Sequence, residues 1–531
     1  VRFFTFEKRW IFSIFCILIF VFMENPSIWA KLQHTNIQAF SFFKSFTLLC
    51  AEIILFLCIL FSVRSFRGYK LLFCISLSLS TLIFDVYFYT SGKVIEFQEF
   101  LLLYQSKANL FDAIQMYKMQ ILQACLRILM LWIGVYLLPP PPTHLNCSRI
   151  KLISSCLSLL LFLSLIGLVF FTCILRSGAG TNKLPAPVSL YGLSLAYFYD
   201  SIKNPHTYKY QRQGLSRLKK SEYQNIILIV DESVRWDYSP FLRIRDYHHW
   251  NVFNYGCATS YANASATSNI LLRKGARFER LSSDFYNNPL IWDYARKAGY
   301  TTYLYDNQGR GVGHDYFDSK EREMIDFNIS NSVFKDADIW KQLCYLNGSA
   351  KTFTLIIKRG SHFPYKDFSE DQKVDFALST YQNATPLRKR YLKSIVFQSD
   401  NFWREFFNLA INKPTLIIYT SDHGQNLEDV EGLTHGTSGK KPYVGEGLVP
   451  LVVLTNIKDH FAKNFEHNFN HTSHFNIFPT LIESMGYSLI NLGYSYKNTS
   501  LRNAVTPIQG FFYGIPFEYF GKRADFMPIS D

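Results

Sequence analysis

The chain has 531 residues, 48% of them hydrophobic and 17% aromatic, with 55 Lys and Arg against 41 Asp and Glu for a formal net charge of +14. That hydrophobic share excludes a disordered or low-complexity chain, and the excess sits mostly in the first third. No zinc-finger, helix-turn-helix or RNA-recognition pattern accompanies the positive charge, so the expected partner is an anionic lipid surface and not nucleic acid.

Five stretches reach membrane-spanning length, at 10–28, 46–63, 69–89, 119–138 and 152–175. They predict an α-helical membrane domain of five transmembrane helices over 1–175. The first is not read as a cleavable signal, because the stretches after it require a membrane in any case. Arg2, Lys8 and Arg9 precede the first stretch, Arg64, Arg67 and Lys70 separate the second from the third, and Arg149 and Lys151 separate the fourth from the fifth. Placing these residues on the cytoplasmic side puts everything after about residue 176 outside the cytoplasm. Glu52, Asp85 and Arg127 fall inside predicted spans, toward their extracytoplasmic ends. Such charges face protein or a polar cavity, so two readings stand: helix-end snorkelling or an ion pair, and a pocket for a lipid headgroup.

Eight of the ten cysteines lie in or beside the apolar stretches, where a thiol behaves as a small hydrophobe. Cys257 and Cys344 lie beyond them, which leaves one disulfide open in an extracytoplasmic domain. Residues 176–222 read as a partly helical linker. Over 223–531 short β-branched runs alternate with longer mixed segments, which predicts an α/β domain with a mostly parallel central sheet. Asn225–Val230, Thr354–Ile357 and Thr415–Tyr419 are the predicted buried strands.

Sites in such sheets gather at the carboxyl ends of the strands. The first predicted strand runs into Asp231-Glu232-Ser233, and the third into Asp422-His423-Gly424. Carboxylate oxygen with imidazole nitrogen suits zinc, whereas carboxylates alone would suit magnesium or calcium. Between these strands, Tyr255–Gly275 is rich in hydroxyls and small side chains and ends in an apolar helical turn. A hydroxyl at a helix N-terminus beside a metal suits attack on phosphorus, because the backbone N–H groups and helix dipole hold the phosphate.

The succession IVDESVRWDY, the hydroxyl-rich segment, GSHFPY, YTSDHGQNLED, LTHGTSG and TSHFNIFPTL resembles the phosphoethanolamine transferases of Gram-negative envelopes. That family lies in the alkaline-phosphatase/sulfatase superfamily and includes the lipid A modifying enzymes behind polymyxin resistance. The resemblance implies a periplasmic catalytic domain carried by five inner-membrane helices. It implies transfer of phosphoethanolamine from phosphatidylethanolamine to a glycolipid or glycan acceptor, through a covalent intermediate at a site of one or two zinc ions. It gives Glu232, Asp422 and His423 as metal ligands, with the nucleophile Ser265 as a further one. Ser265 stands where the family has a nucleophilic Thr, with Ser268 three positions on; Thr259 and Thr267 are the alternatives. His362 and His435 match the other active-site histidines, His474 matches a structural motif, and Gln105 with Ser106 matches a donor-lipid loop. Two departures accompany the match. At most one disulfide is available here, and no Cys-x-Pro-x-Arg sulfatase pattern surrounds Cys257 or Ser265, which argues against sulfate-ester hydrolysis. The chain is expected to act as a monomer. A glycerol-phosphate transferase or phosphodiesterase on the same scaffold, and a non-catalytic lipid-binding relative, stay open as alternatives.

Overall fold

The computed structural model describes residues 6–23, 67–91, 94–105, 114, 117–138, 148–175, 186–203, 219–308, 314–317, 319–330, 335–365, 384–438, 440–457, 460–494, 499–514 and 524–529. The chain divides into two compact units, the first ending at residue 205 and the second beginning at 206.

The described part of the first unit is helical. Phe6–Met23, Arg67–Ser91, Lys118–Leu137 and Ser148–Leu175 fall on four of the five predicted spans. Within them, Gly68–Thr90 and Lys118–Leu137 are long and apolar enough to cross a membrane; Arg9–Phe22 and Leu159–Leu175 are shorter apolar helices. The second predicted span, 46–63, lies outside the described residues, as do Glu52 and Ser106, and Gln105 closes the helix Phe97–Gln105.

Small residues let these helices approach closely. A Cβ on Gly134 would lie 2.7 Å from Ile17, and Ser13 donates to the Gly134 carbonyl at 2.6 Å. Asp85 and Arg127 pair at 2.8 Å between Arg67–Ser91 and Lys118–Leu137, with Arg127 also over the Phe20 ring. The contact that the ion-pair reading requires is thus present between Asp85 and Arg127. The helix Ala186–Lys203, within the segment read as a linker, packs against Arg67–Ser91 and Ser148–Leu175.

The second unit is built on an eight-stranded sheet. Its strands are β1 (Asn225–Asp231), β2 (Asn251–Thr259), β3 (Thr301–Asp306), β4 (Phe327–Ser330), β5 (Thr352–Ile357), β6 (Thr415–Ser421), β7 (Leu448–Thr455) and β8 (Thr472–Ser473), in the order β4-β3-β5-β1-β6-β7-β2-β8. Only β7 pairs antiparallel with its neighbours, so the expected mostly parallel sheet is present. β9 (Gly510–Tyr513) and β10 (Asp525–Pro528) form a separate antiparallel pair.

Every residue of β1, β5 and β6 is buried, which is why they read as unbroken apolar runs in the sequence. On one face Ile227, Ile229, Ile356, Ile417 and Tyr419 pack with Trp403 and other aromatics. Register places Val230 beside both Ile357 and Thr420, and Asp231 beside Ser421. The carboxyl ends of β5, β1 and β6 therefore finish side by side.

The same strand order separates the two cysteines of this unit. Cys257 lies on β2, while Cys344 opens the short turn Cys344–Asn347 just before β5, four strand positions from β2. Four spacings amount to about 19 Å, beyond the ~7 Å that a disulfide spans between Cα atoms. Both thiols are free, so the disulfide left open by the sequence does not form.

Candidate active site

Immediately after β1, Glu232 turns into the gap between β1 and β6. The turn requires Ser233 to adopt a left-handed conformation (φ 62°), which is costly for a residue with a Cβ. Three hydrogen bonds fix it. Ser233 N–H donates to Asp422 Oδ1 at 2.9 Å, its hydroxyl donates to Glu232 Oε1 at 2.8 Å, and its carbonyl accepts from the Tyr391 hydroxyl at 2.6 Å. The adjacent acid serves differently. Asp231 Oδ2 accepts from Lys358 Nζ (2.5 Å), Ser399 Oγ (2.6 Å) and the Tyr419 hydroxyl (3.0 Å), all within the core. Ser399 is aimed there by a wide π turn, Val396–Asp400, in an otherwise α-helical stretch. Asp231 is saturated; Glu232 is the member of the pair that faces the site.

After β6, Asp422 and His423 close the other side. Glu232, Asp422 and His423 each offer a ligand atom, all within 4.8 Å of one another, and all three side chains are buried. Asp422 Oδ1 accepts from the backbone N–H of Ser233 and of His423, whereas Oδ2 is buried without a hydrogen-bond partner. A buried carboxylate oxygen left this way is costly unless a cation meets it. His423 Nδ1 lies 2.7 Å from the Gly424 carbonyl, which can only accept, so Nδ1 carries the proton and Nε2 presents its lone pair. Nε2 is 3.5 Å from Asp422 Oδ2 and 3.8 Å from Glu232 Oε1. Two carboxylate oxygens and one neutral imidazole nitrogen are a donor set that fits zinc.

The electrostatics follow from crowding and burial. Burial and the Glu232 carboxylate push Asp422 well above the usual carboxylate range. Burial also opposes charge on Glu232, but in the acid range where it titrates, positive charge on the imidazoles around it, His362 foremost, and a hydrogen bond from Asp422 outweigh that and lower it. Burial lowers His423, and lowers His435 further still, so both imidazoles are neutral at pH 7. Neutral nitrogen is the ligating form.

Ser265 is the first residue of the helix Ser265–Lys274. The preceding Ala264 gives no side-chain cap, which leaves the first-turn N–H groups open to an anion. Gly275 ends the helix in the left-handed conformation (φ 59°), where a Cβ would sit 2.2 Å from Phe478. Ser265 Oγ lies 3.1 Å from His423 Nε2 and 3.3 Å from Glu232 Oε1. The alternatives are placed otherwise. Thr259, at the end of β2, donates to the Ile508 carbonyl at 3.0 Å, and Thr267 is fully buried two residues into the helix.

The flanking histidines come from loops. The His435 ring stacks on His423 at 4.3 Å between centroids. Its loop is tied by Asn426 N–H to the Thr434 carbonyl and by Gly436 N–H to the Asn263 carbonyl. His362 Nδ1 donates to the Phe363 carbonyl at 2.6 Å. His474 is buried away from these groups. It accepts from Tyr261 N–H at Nδ1 and therefore donates from Nε2 to Thr420 Oγ1, at 3.1 and 2.9 Å.

One contact has no counterpart in the sequence reading. Gln308, just past β3, donates its amide to Glu232 Oε2 at 2.7 Å. A lone Gln after an unremarked strand carries no chemical signature. Only its position at a strand carboxyl end could have drawn notice.

The sulfatase family profile matches residues 224–487. No curated protein matches the sequence. Among solved structures, the chain is similar to the integral membrane protein lipooligosaccharide phosphoethanolamine transferase A of Neisseria meningitidis. The two are 14% identical, the match covers 93% of this chain and 99% of that one, and the TM-score is 0.63. The C-terminal periplasmic domain of EcEptC from Escherichia coli matches at 17% identity over 59% of this chain and 95% of its own, with a TM-score of 0.46.

Proposed function

Because residues 224–487 form a sulfatase-family domain, we propose that the chain is a zinc-dependent transferase that moves phosphoethanolamine from phosphatidylethanolamine to an envelope glycolipid or related glycan. The observation that carries this reading is the placement of Ser265 Oγ. It opens an uncapped helix and sits 3.1 Å from His423 Nε2 and 3.3 Å from Glu232 Oε1.

Zinc held by Glu232, Asp422 and His423 would lower the pKa of the Ser265 hydroxyl and offset charge on the phosphoryl oxygens. Ser265 Oγ forms a bond to the donor phosphorus, the bond from phosphorus to the glycerol oxygen breaks, and diacylglycerol leaves with the proton that serine gives up. The open N–H groups of the helix's first turn hold the phosphoryl oxygens. His362 and His435 flank the group and relay the proton. An acceptor hydroxyl or phosphate oxygen then displaces Ser265 Oγ, which regains a proton as phosphoethanolamine passes on.

By this reading the first unit, with five spans including 46–63, anchors a monomer in the bacterial inner membrane, and the catalytic domain works in the periplasm. The fold shared with the meningococcal protein supports that arrangement. Tethering beside both lipids replaces a search in solution with a search in a plane.

The test is mass spectrometry of envelope lipids from cells lacking their own transferases. Expression of the chain is expected to add a phosphoethanolamine mass to a glycolipid or glycan, and Ser265→Ala is expected to abolish the addition, a loss on the order of 10⁴-fold or more in turnover. Free phosphoethanolamine with no modified acceptor would make the chain a phosphodiesterase. A glycerol-phosphate addition would change the donor, and an unchanged lipid profile would make it a binding protein.

A further inference from the structure

The carboxylate of Glu232 has two oxygens in different surroundings. Oε1 faces the site, with Ser233 Oγ at 2.8 Å, Ser265 Oγ at 3.3 Å and His423 Nε2 at 3.8 Å. Oε2 faces away from these groups and accepts from Gln308 Nε2 at 2.7 Å. We propose that Gln308 is a positioning residue that holds Glu232 by Oε2 so that Oε1 is presented to a cation. This rests on Glu232 being a metal ligand, as in the function proposed above.

The geometry at Gln308 fixes the direction of its amide. Nε2 also lies 3.1 Å from the Lys358 carbonyl, so its two protons go to two acceptors. A flipped amide would set its oxygen against both, so only one orientation is stable. The backbone behind it is fixed as well. Gln308 N–H donates to Asp306 Oδ1 at 3.2 Å, and Asn307 Nδ2 donates to Asp336 Oδ1 at 2.7 Å. Asp336 is fully buried and collects the N–H groups of Arg359 and Gly360, both at 2.9 Å. That turn in its turn packs against Glu232: Ser361 N–H donates to the Glu232 carbonyl, and a Cβ on Gly360 would lie 2.6 Å from Glu232 N. The end of β3 is thereby joined to the end of β5 and through it to the carboxylate.

A neutral amide is the donor suited to this task. A Lys or Arg at the same distance would orient the carboxylate but also neutralise it, weakening its attraction for a divalent ion. An amide orients it and leaves the charge. Partners of this kind, one bond removed from a metal, are worth about 10- to 100-fold in metal affinity.

The test uses the full chain in detergent and titrates zinc against a chromophoric chelator. Gln308→Met keeps the length of the side chain and removes the amide, and Gln308→Ala is a second variant at this half-buried position. Both are expected to bind zinc about 10- to 100-fold more weakly, with the melting temperature of the chelator-treated protein unchanged. Wild-type zinc affinity in both variants would overturn the proposal. So would a lower melting temperature of the zinc-free protein with zinc affinity intact, which would make Gln308 merely structural. Glu232→Gln serves as the control. If it too binds zinc like the wild type, the metal reading of Glu232 fails, independently of Gln308.

Discussion

The two halves of the site are built differently. Glu232, Asp422 and His423 stand at the ends of adjacent central strands, fully buried, with Asp422 and His423 oriented by backbone groups (Ser233 N–H and His423 N–H on Asp422, the Gly424 carbonyl on His423) and Glu232 held by the side chains of Ser233 and Gln308. His362 and His435 stand on loops, half-buried, His362 through its own neighbour's carbonyl and His435 through a stack on His423. A cradle fixed by the sheet is pre-organised for a cation, whereas loop-borne imidazoles can follow a phosphoryl group as its geometry changes. Variants on the two sides should therefore fail in different ways.

The largest effect is expected on the cradle. Asp422→Asn exchanges the partnerless Oδ2 for an amide that cannot carry charge. Lipid modification should fall on the order of 10³-fold or more, by loss of both positioning and charge stabilisation, and a zinc titration should show the ion no longer held. Full zinc affinity in Asp422→Asn would remove the cradle from the picture.

Next in size is a pH effect behind the cradle, at His474. Burial lowers this imidazole from 6.5 to about 3, and both nitrogens are engaged in the neutral form. Its folded pKa lies below its unfolded one, so the unfolded chain takes up the proton first. The stability it contributes is complete above pH 6.5 and is lost as pH falls toward 3. The shift amounts to about 5 kcal/mol at most. Gln offers the same acceptor and donor in one amide, so His474→Gln should keep the neutral-pH melting temperature and flatten its decline through this window. Identical pH profiles for the two proteins would count against a buried neutral His474.

On the loop side, His435→Gln should reduce kcat/KM by about 10²-fold without changing zinc affinity or melting temperature. Loss of zinc as complete as in Asp422→Asn would move His435 into the cradle and dissolve the distinction between the two halves.

How far the sequence discloses this arrangement depends on how each part is encoded. β1 and β6 are buried on both faces, so their apolar runs stand out and the polar residues after them mark the site. β3 is TTYLYD, mixing half-buried and buried positions at one side of the sheet, and β7 contains a proline; neither is conspicuous as a strand. Gln308 was invisible for the same reason, since its role comes from register and not from residue type. The Asp231-Glu232 pair reads as one acidic unit in the sequence. Its division into a saturated core acid and a site-facing one depends on Lys358, Ser399 and Tyr419, which lie 127, 168 and 188 residues away. Cys257 and Cys344 show the converse: composition leaves a disulfide open, and strand order forbids it.

The smallest expected effect separates the cradle's backbone from its ligands. The Tyr391 hydroxyl donates to the Ser233 carbonyl at 2.6 Å and accepts from Arg235 N–H at 2.9 Å, bridging the turn that carries Glu232. Tyr391→Phe keeps the aromatic contacts with Tyr238 and Tyr365 but leaves both backbone groups buried and unpaired. That should cost about 1–3 kcal/mol, read as a lower melting temperature of the zinc-free chain. Because Ser233 is held in a left-handed conformation, part of the loss should appear as weaker zinc binding once the turn relaxes toward an ordinary backbone geometry. Saturating zinc would then restore most of the stability, because an ion bound only by the folded state shifts the equilibrium toward it. A Tyr391→Phe protein with reduced melting temperature but wild-type zinc affinity would place the clamp's role in the core alone, and would leave the strand ends, without the turn, as the source of the cradle's rigidity.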